Sequence, residues 1–93
     1  MIVTKQDLDR AYTVVGTVHG YALEEASGCA GKVAIIKAFE RAEASLCESA
    51  QAAGADAVVG LSFQQRDTRT TGCGSAGKPA TEVYANATAV KFN

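Results

Sequence analysis

Tryptophan is absent from this 93-residue chain, proline and histidine occur once each, and aromatics make up only 6%. Small residues dominate instead. They let backbones approach closely, but each removes little apolar area from water, at roughly 25 cal/mol per Å². A core of this kind gains from burying further surface against other copies of the same chain. Charge of one sign is also lacking. The net charge of −1 provides no basic face for a nucleic-acid backbone, so no nucleic-acid partner is expected. No apolar run approaches the ~20 residues of a membrane-spanning helix. The segment from Met1 to Asp7 has no basic stretch leading into an apolar one, so the chain reads as cytoplasmic, without a membrane partner. Its length allows one domain over residues 1–93.

Catalytic signatures are missing too. No paired carboxylates, nucleophile motif or cofactor fingerprint marks an active site, and a non-enzymatic role is expected. Three cysteines occur, Cys29, Cys47 and Cys73, with no Cys-x-x-Cys. An odd number in a reducing compartment argues against a disulfide framework.

What is present is patterned. Ile2 to Thr4 reads as a short strand. Tyr12 to Leu23 is rich in β-branched and aromatic residues and reads as a long strand, with Gly16 and Gly20 marking a bulge or a close backbone approach. From Val33 to Ala53, apolar Ile35, Phe39, Ala42, Leu46, Ala50 and Ala53 recur at steps of three or four, which predicts an amphipathic helix. Gly54 is placed as the left-handed residue that ends it. Ala57 to Phe63 reads as a strand with Ala57, Val59, Leu61 and Phe63 on one face. Arg66 to Lys78 reads as a polar loop closed by Pro79. Thr81 to Phe92 is the last strand, with Val83, Ala85, Ala87 and Ala89 on one face and Tyr84, Asn86, Thr88, Val90 and Phe92 on the other. The fold class is therefore α+β: one long helix on a small, mainly antiparallel sheet. One helix covers one face of such a sheet, and the other face calls for a partner.

Two motifs read as coincidence. Gly72 to Lys78 meets most of the phosphate-loop pattern, but Pro79 stands where a Mg²⁺-binding hydroxyl is needed, and a strand follows instead of a helix. Asn86-Ala87-Thr88 fits a glycosylation sequon but lies inside a strand.

Three residues are candidate metal ligands. Cys29 and Cys73 each sit in a glycine-rich loop, where a thiol can turn toward an ion; thiolates favour soft metals such as zinc or copper. His19, in the long strand, is a third candidate if its strand ends near those loops. Cys47 lies beside the apolar stripe of the helix and is expected to pack as a small hydrophobe.

The stretch Ala53-Gly-Ala-Asp-Ala-Val-Val-Gly-Leu-Ser-Phe63, directly after the helix containing Arg41-Ala-Glu-Ala44, resembles the YbjQ-like family, whose name assigns it heavy-metal binding. Gly16-Thr-Val-His-Gly20 is similar to that family's Gly-x-Val-x-Gly strand, and Ala87-Thr88-Ala89-Val90 to its closing Gly-Thr-Ala-Val. Ala87 replaces a glycine there, Asn86 stands where an aromatic is common, and the loop from Gly72 to Gly77 has no counterpart. The resemblance implies a YbjQ-like (dodecin-like) subunit of a homo-oligomeric ring, typically a pentamer. It carries over no ligand residues. The combined expectation is an oligomeric binding module for a heavy metal or small ligand at loops or subunit interfaces. The alternative is a ring whose role is structural.

Overall fold

Polar residues on either side of the turn that joins the last two strands hide how far those strands run. In the computed structural model, which describes residues 1–93, the order is β1 (Ile2–Val3), β2 (Tyr12–Glu25), α1 (Ile35–Ala52), β3 (Ala57–Thr70) and β4 (Lys78–Phe92). The sheet order is β1-β3-β4-β2. Strand β4 pairs antiparallel with both β2 and β3, and the two-residue β1 runs parallel to β3. This is the α+β arrangement that the periodicities predict.

Two boundaries differ from the sequence reading. Residues 66–70 and 78–80, expected in a loop, are paired strand: Arg66 faces Glu82, Asp67 faces Thr81 and Arg69 faces Pro79. Only residues 71–77 turn the chain, through a short 3₁₀ segment at Gly74–Ala76. Cross-strand polar pairs take the place of apolar alternation here. The second difference is at Gly60, whose φ of +66° marks a bulge between Val59 and Ser62. The extra residue inverts the faces. Val58, Leu61 and Phe63 therefore join the helix-side core, while Ala57 and Val59 point the other way.

Helix α1 buries Ala38, Ala42, Leu46 and Ala50. The stripe is rotated slightly from the predicted one: Phe39 is half-buried, and Ile35 and Ala53 are exposed. Gly54 follows the helix at φ +79° as expected. The helix lies so close to β2 that a Cβ on Gly20 would overlap the carbonyl oxygen of Ala42 and come within 2.6 Å of the Leu46 nitrogen. Glycine in the strand and alanine on the helix make that approach possible. On the sheet side, Val18, Ala22, Val83, Ala85, Ala87 and Ala89 complete the core. Phe39 meets Phe63 edge-on, with ring centroids 5.1 Å apart.

The opposite face is not uniformly open. At one end, Ala57, Val59 and Val90 form a second small core, against which Leu8, Tyr12 and Phe92 pack. The Arg10 guanidinium stacks 3.8 Å over the Phe92 ring. Beyond that end the face carries His19, Tyr21, Tyr84 and Asn86 in facing pairs. The molecule is long and thin, 54 × 20 × 15 Å, with a radius of gyration of 16.0 Å. A compact chain of this length would have a radius of about 12 Å.

Candidate functional site

The antiparallel pairing of β2 with β4 decides which loops meet. Glu25 lies opposite Ala80, and Thr70 on β3 lies opposite Lys78. The chain leaving β2 and the turn joining β3 to β4 therefore emerge at the same end of the sheet. Cys29 is four residues past the first of these strand ends and Cys73 three past the second. They form a disulfide, with Cα atoms 5.4 Å apart across a sequence separation of 44. This corrects the expectation from cysteine count and compartment: the two loop cysteines are joined, and Cys47 is the free one. Counting cysteines gives no information on loop proximity; strand register does.

The turn around Cys73 has an unusual backbone. Gly72, Cys73 and Gly74 have φ of +121°, +56° and +70°, and Cys73 is the one non-glycine residue with positive φ. A side chain in that region is crowded by its own backbone. The partner loop is bracketed by Gly28 and Gly31, and Gly31 N–H donates to the Gly28 carbonyl at 3.1 Å.

A cleft of about 510 Å³ opens between the chain entering the helix and the last two strands. One wall is formed by Lys32 and Val33 before the helix and by Ile35, its first residue; the other is the β3–β4 hairpin, with Asp67 and Arg69. Thr81 donates to the Asp67 carboxylate at 2.9 Å.

His19 does not join the cysteines. It faces Asn86, eight residues along β4 from Lys78, or about 26 Å at the usual rise of a strand. Its Nδ1 lies 2.6 Å from Asn86 Oδ1. An amide oxygen only accepts, so Nδ1 is the donor in this contact. Cys47 is half-buried on the helix. Burial, and then the nearby Glu43 charge, push its thiol pKa up, which disfavours the reactive thiolate. No group of three or more His, Cys, Asp or Glu side chains gathers to hold an ion. As a reduced pair, Cys29 and Cys73 provide two soft donors. That set fits a two-coordinate soft ion and falls short of the four ligands of a structural zinc site.

One charged network was not anticipated. Glu82, with a side chain 14% exposed, accepts from Arg66 Nε at 2.9 Å and Nη2 at 2.5 Å, and from the Tyr21 hydroxyl at 3.1 Å. Burial alone would raise the Glu82 pKa; the Arg66 and Tyr21 hydrogen bonds outweigh it and hold the carboxyl below its ordinary value. Tyr21 moves the other way, raised by burial and by its bond to Glu82. A carboxyl with a depressed folded-state pKa stabilises fully above the ordinary value of 4.5 and loses that contribution as pH falls through the lower, folded one. Acid unfolding of wild type should therefore show a component in that window that Glu82→Gln lacks. Superimposable slopes of stability against pH below 4.5 would show that the network contributes nothing.

The phosphate-loop resemblance at Gly72 to Lys78 ends in strand β4, with Lys78 paired to Glu25 at 3.6 Å. A strand, not a helix, follows that loop, so no helix N-terminus continues from it. Calorimetry with millimolar Mg-ATP should give no saturable heat; a saturable signal that disappears in Lys78→Ala would contradict this.

The family model described as "Putative heavy-metal-binding" matches residues 32–93, two-thirds of the chain, and the chain belongs to that YbjQ-like family. Cys73 lies within the matched stretch; Cys29 and His19 precede it. Among solved structures, a protein of unknown function of the DUF74 family from Pediococcus pentosaceus is similar in fold, with a TM-score of 0.75 at 15% identity. The likeness covers 100% of this chain and 98% of that one. No curated protein matches the chain. No helix is long and apolar enough to cross a membrane.

Proposed function

We propose that this protein is a non-enzymatic, homo-oligomeric binding module, and that its ligand is a soft metal ion held by Cys29 and Cys73 as thiolates. The observation that carries the reading is the meeting of these two cysteines, far apart in sequence, in glycine-bracketed loops at one end of the sheet. The family membership supports heavy-metal binding as the ligand class. The chemistry supports copper(I) over zinc, because a subunit offers two sulfur donors and no gathered third ligand. Cys47 is left out, since its raised pKa opposes the deprotonation that metal capture needs.

The oligomer is supported by shape. A thin, 54 Å long subunit buries 19 of its 93 residues. It leaves Val14, Val15, Tyr21, Ile36 and Tyr84 exposed. Strand β2 is a 14-residue sheet edge, and a long unprotected edge with apolar neighbours pairs readily with another chain. A closed ring, with a pentamer favoured, satisfies such an edge through a heterologous contact. The same features support a second reading, a ring whose role is structural and whose cysteines only brace the subunit.

Titration separates the two. Copper(I) and zinc are added to the reduced wild type and to Cys29→Ser, Cys73→Ser and Cys47→Ser. The metal reading expects saturable copper(I) binding in wild type and Cys47→Ser, and its loss in either loop variant. Binding that survives both loop substitutions would refute the assignment, and none in wild type would favour the structural ring.

A further inference from the structure

We infer that the Cys29–Cys73 pair is a redox-gated site, in which disulfide formation and soft-ion binding exclude one another. The inference rests on the metal reading above and adds its regulation. The pair is closed as a disulfide, and an uncharged disulfide sulfur is not the ligand that a thiolate is. Metal can enter only after the bond is reduced.

The reductant required is a dithiol. One of its thiolates attacks a sulfur of the pair, the S–S bond breaks, and a mixed disulfide forms; its second thiol then displaces the protein and leaves as an internal disulfide. Two electrons and two protons pass to the pair, giving two free thiols. A monovalent soft ion then forms two bonds to sulfur and releases the two thiol protons. In the reverse direction, a disulfide oxidant removes two electrons from the pair, the S–S bond re-forms and the ion departs.

Four features fit such a gate. Cys29 is exposed, so a thiolate can approach the bond. Cys73 is held at φ +56° between two glycines that also have positive φ, a conformation it can leave once the cross-link is cut. Two sulfurs bound to one ion stand farther apart than two bonded to each other. Gly28, Gly31, Gly72 and Gly74 supply the freedom for the loops to separate. The loops also carry no strand pairing over residues 27–34 and 71–77, so opening need not disturb the sheet.

The test uses the full chain under anaerobic conditions, with copper(I) delivered from a chromogenic chelator as the probe. Thiol counting in denaturant comes first: one reactive thiol per oxidised chain, and three after treatment with a dithiol. Copper(I) should then be taken from the chelator by reduced protein and left by oxidised protein. Hydrogen exchange without metal should quicken in residues 27–34 and 71–77 on reduction, with β4 and α1 unchanged. Adding a disulfide oxidant to the loaded protein should return the copper to the chelator. Equal binding by oxidised and reduced chains would overturn the gate and leave metal binding to other residues. Three thiols before reduction would overturn it as well. No binding by a fully reduced chain would overturn the metal reading itself, and the gate with it.

Discussion

Leu46→Ala should destabilise the protein by about 2–5 kcal/mol, the range for removing a fully buried leucine from a packed site. Leu46 heads the fully buried side chains by volume. It sits where α1 lies closest to β2: its backbone nitrogen and Cβ are among the nearest atoms to Gly20. Most of its neighbours in the core are alanines and valines, which are too short to move in and fill a void. The cavity left by truncation should therefore persist, placing the cost in the upper part of the range. Glu48, two residues on, is exposed, and Glu48→Ala should change stability by within about 0.5 kcal/mol. Denaturant unfolding at fixed protein concentration compares them. Equally small effects would mean that the helix packs through a different face.

Breaking the Cys29–Cys73 cross-link should cost about 2–4 kcal/mol. The bond closes a loop with a sequence separation of 44, which contains the whole of α1 and of β3. Chain-entropy reasoning gives about 4 kcal/mol for a loop of this size, and relaxation of Cys73 from its crowded backbone conformation offsets part of that. Reduced wild type and the Cys29→Ser/Cys73→Ser double variant should fall to a similar stability, below the oxidised protein. Should oxidised and reduced protein unfold at the same denaturant midpoint, the two loops are not cross-linked in solution.

The helix and the middle of the last strand were legible in the sequence because each carries a regular apolar period. Steps of three and four from Phe39 to Ala50, and strict alternation from Val83 to Ala89, leave one consistent reading. The chain from Gln64 to Thr70 carries no such signal. Its residues are polar on both faces, and its partners Lys78 to Tyr84 follow a glycine-rich turn and start with a lysine and a proline, so pairing through Arg66 and Glu82 was invisible to an apolar pattern. Gly60 misled for a different reason. A single bulge residue shifts the alternation by one, and the faces of Ala57–Phe63 change sides along the strand. At the candidate site, loop context singled out Cys29 and Cys73, while their joining follows from a register that no local pattern contains. His19 was grouped with them on residue type alone, and the pairing of β2 with β4 places it in mid-sheet.

Native mass spectrometry of untagged protein, purified anaerobically in the presence of a dithiol, tests the central claim most directly, because one spectrum reports both subunit number and metal per chain. The account predicts a closed multiple of the 9.6 kDa subunit, five-fold favoured, carrying one soft ion per chain that is lost in Cys29→Ser and in Cys73→Ser. A 9.6 kDa monomer, or metal retained at full stoichiometry in both loop variants, would contradict it.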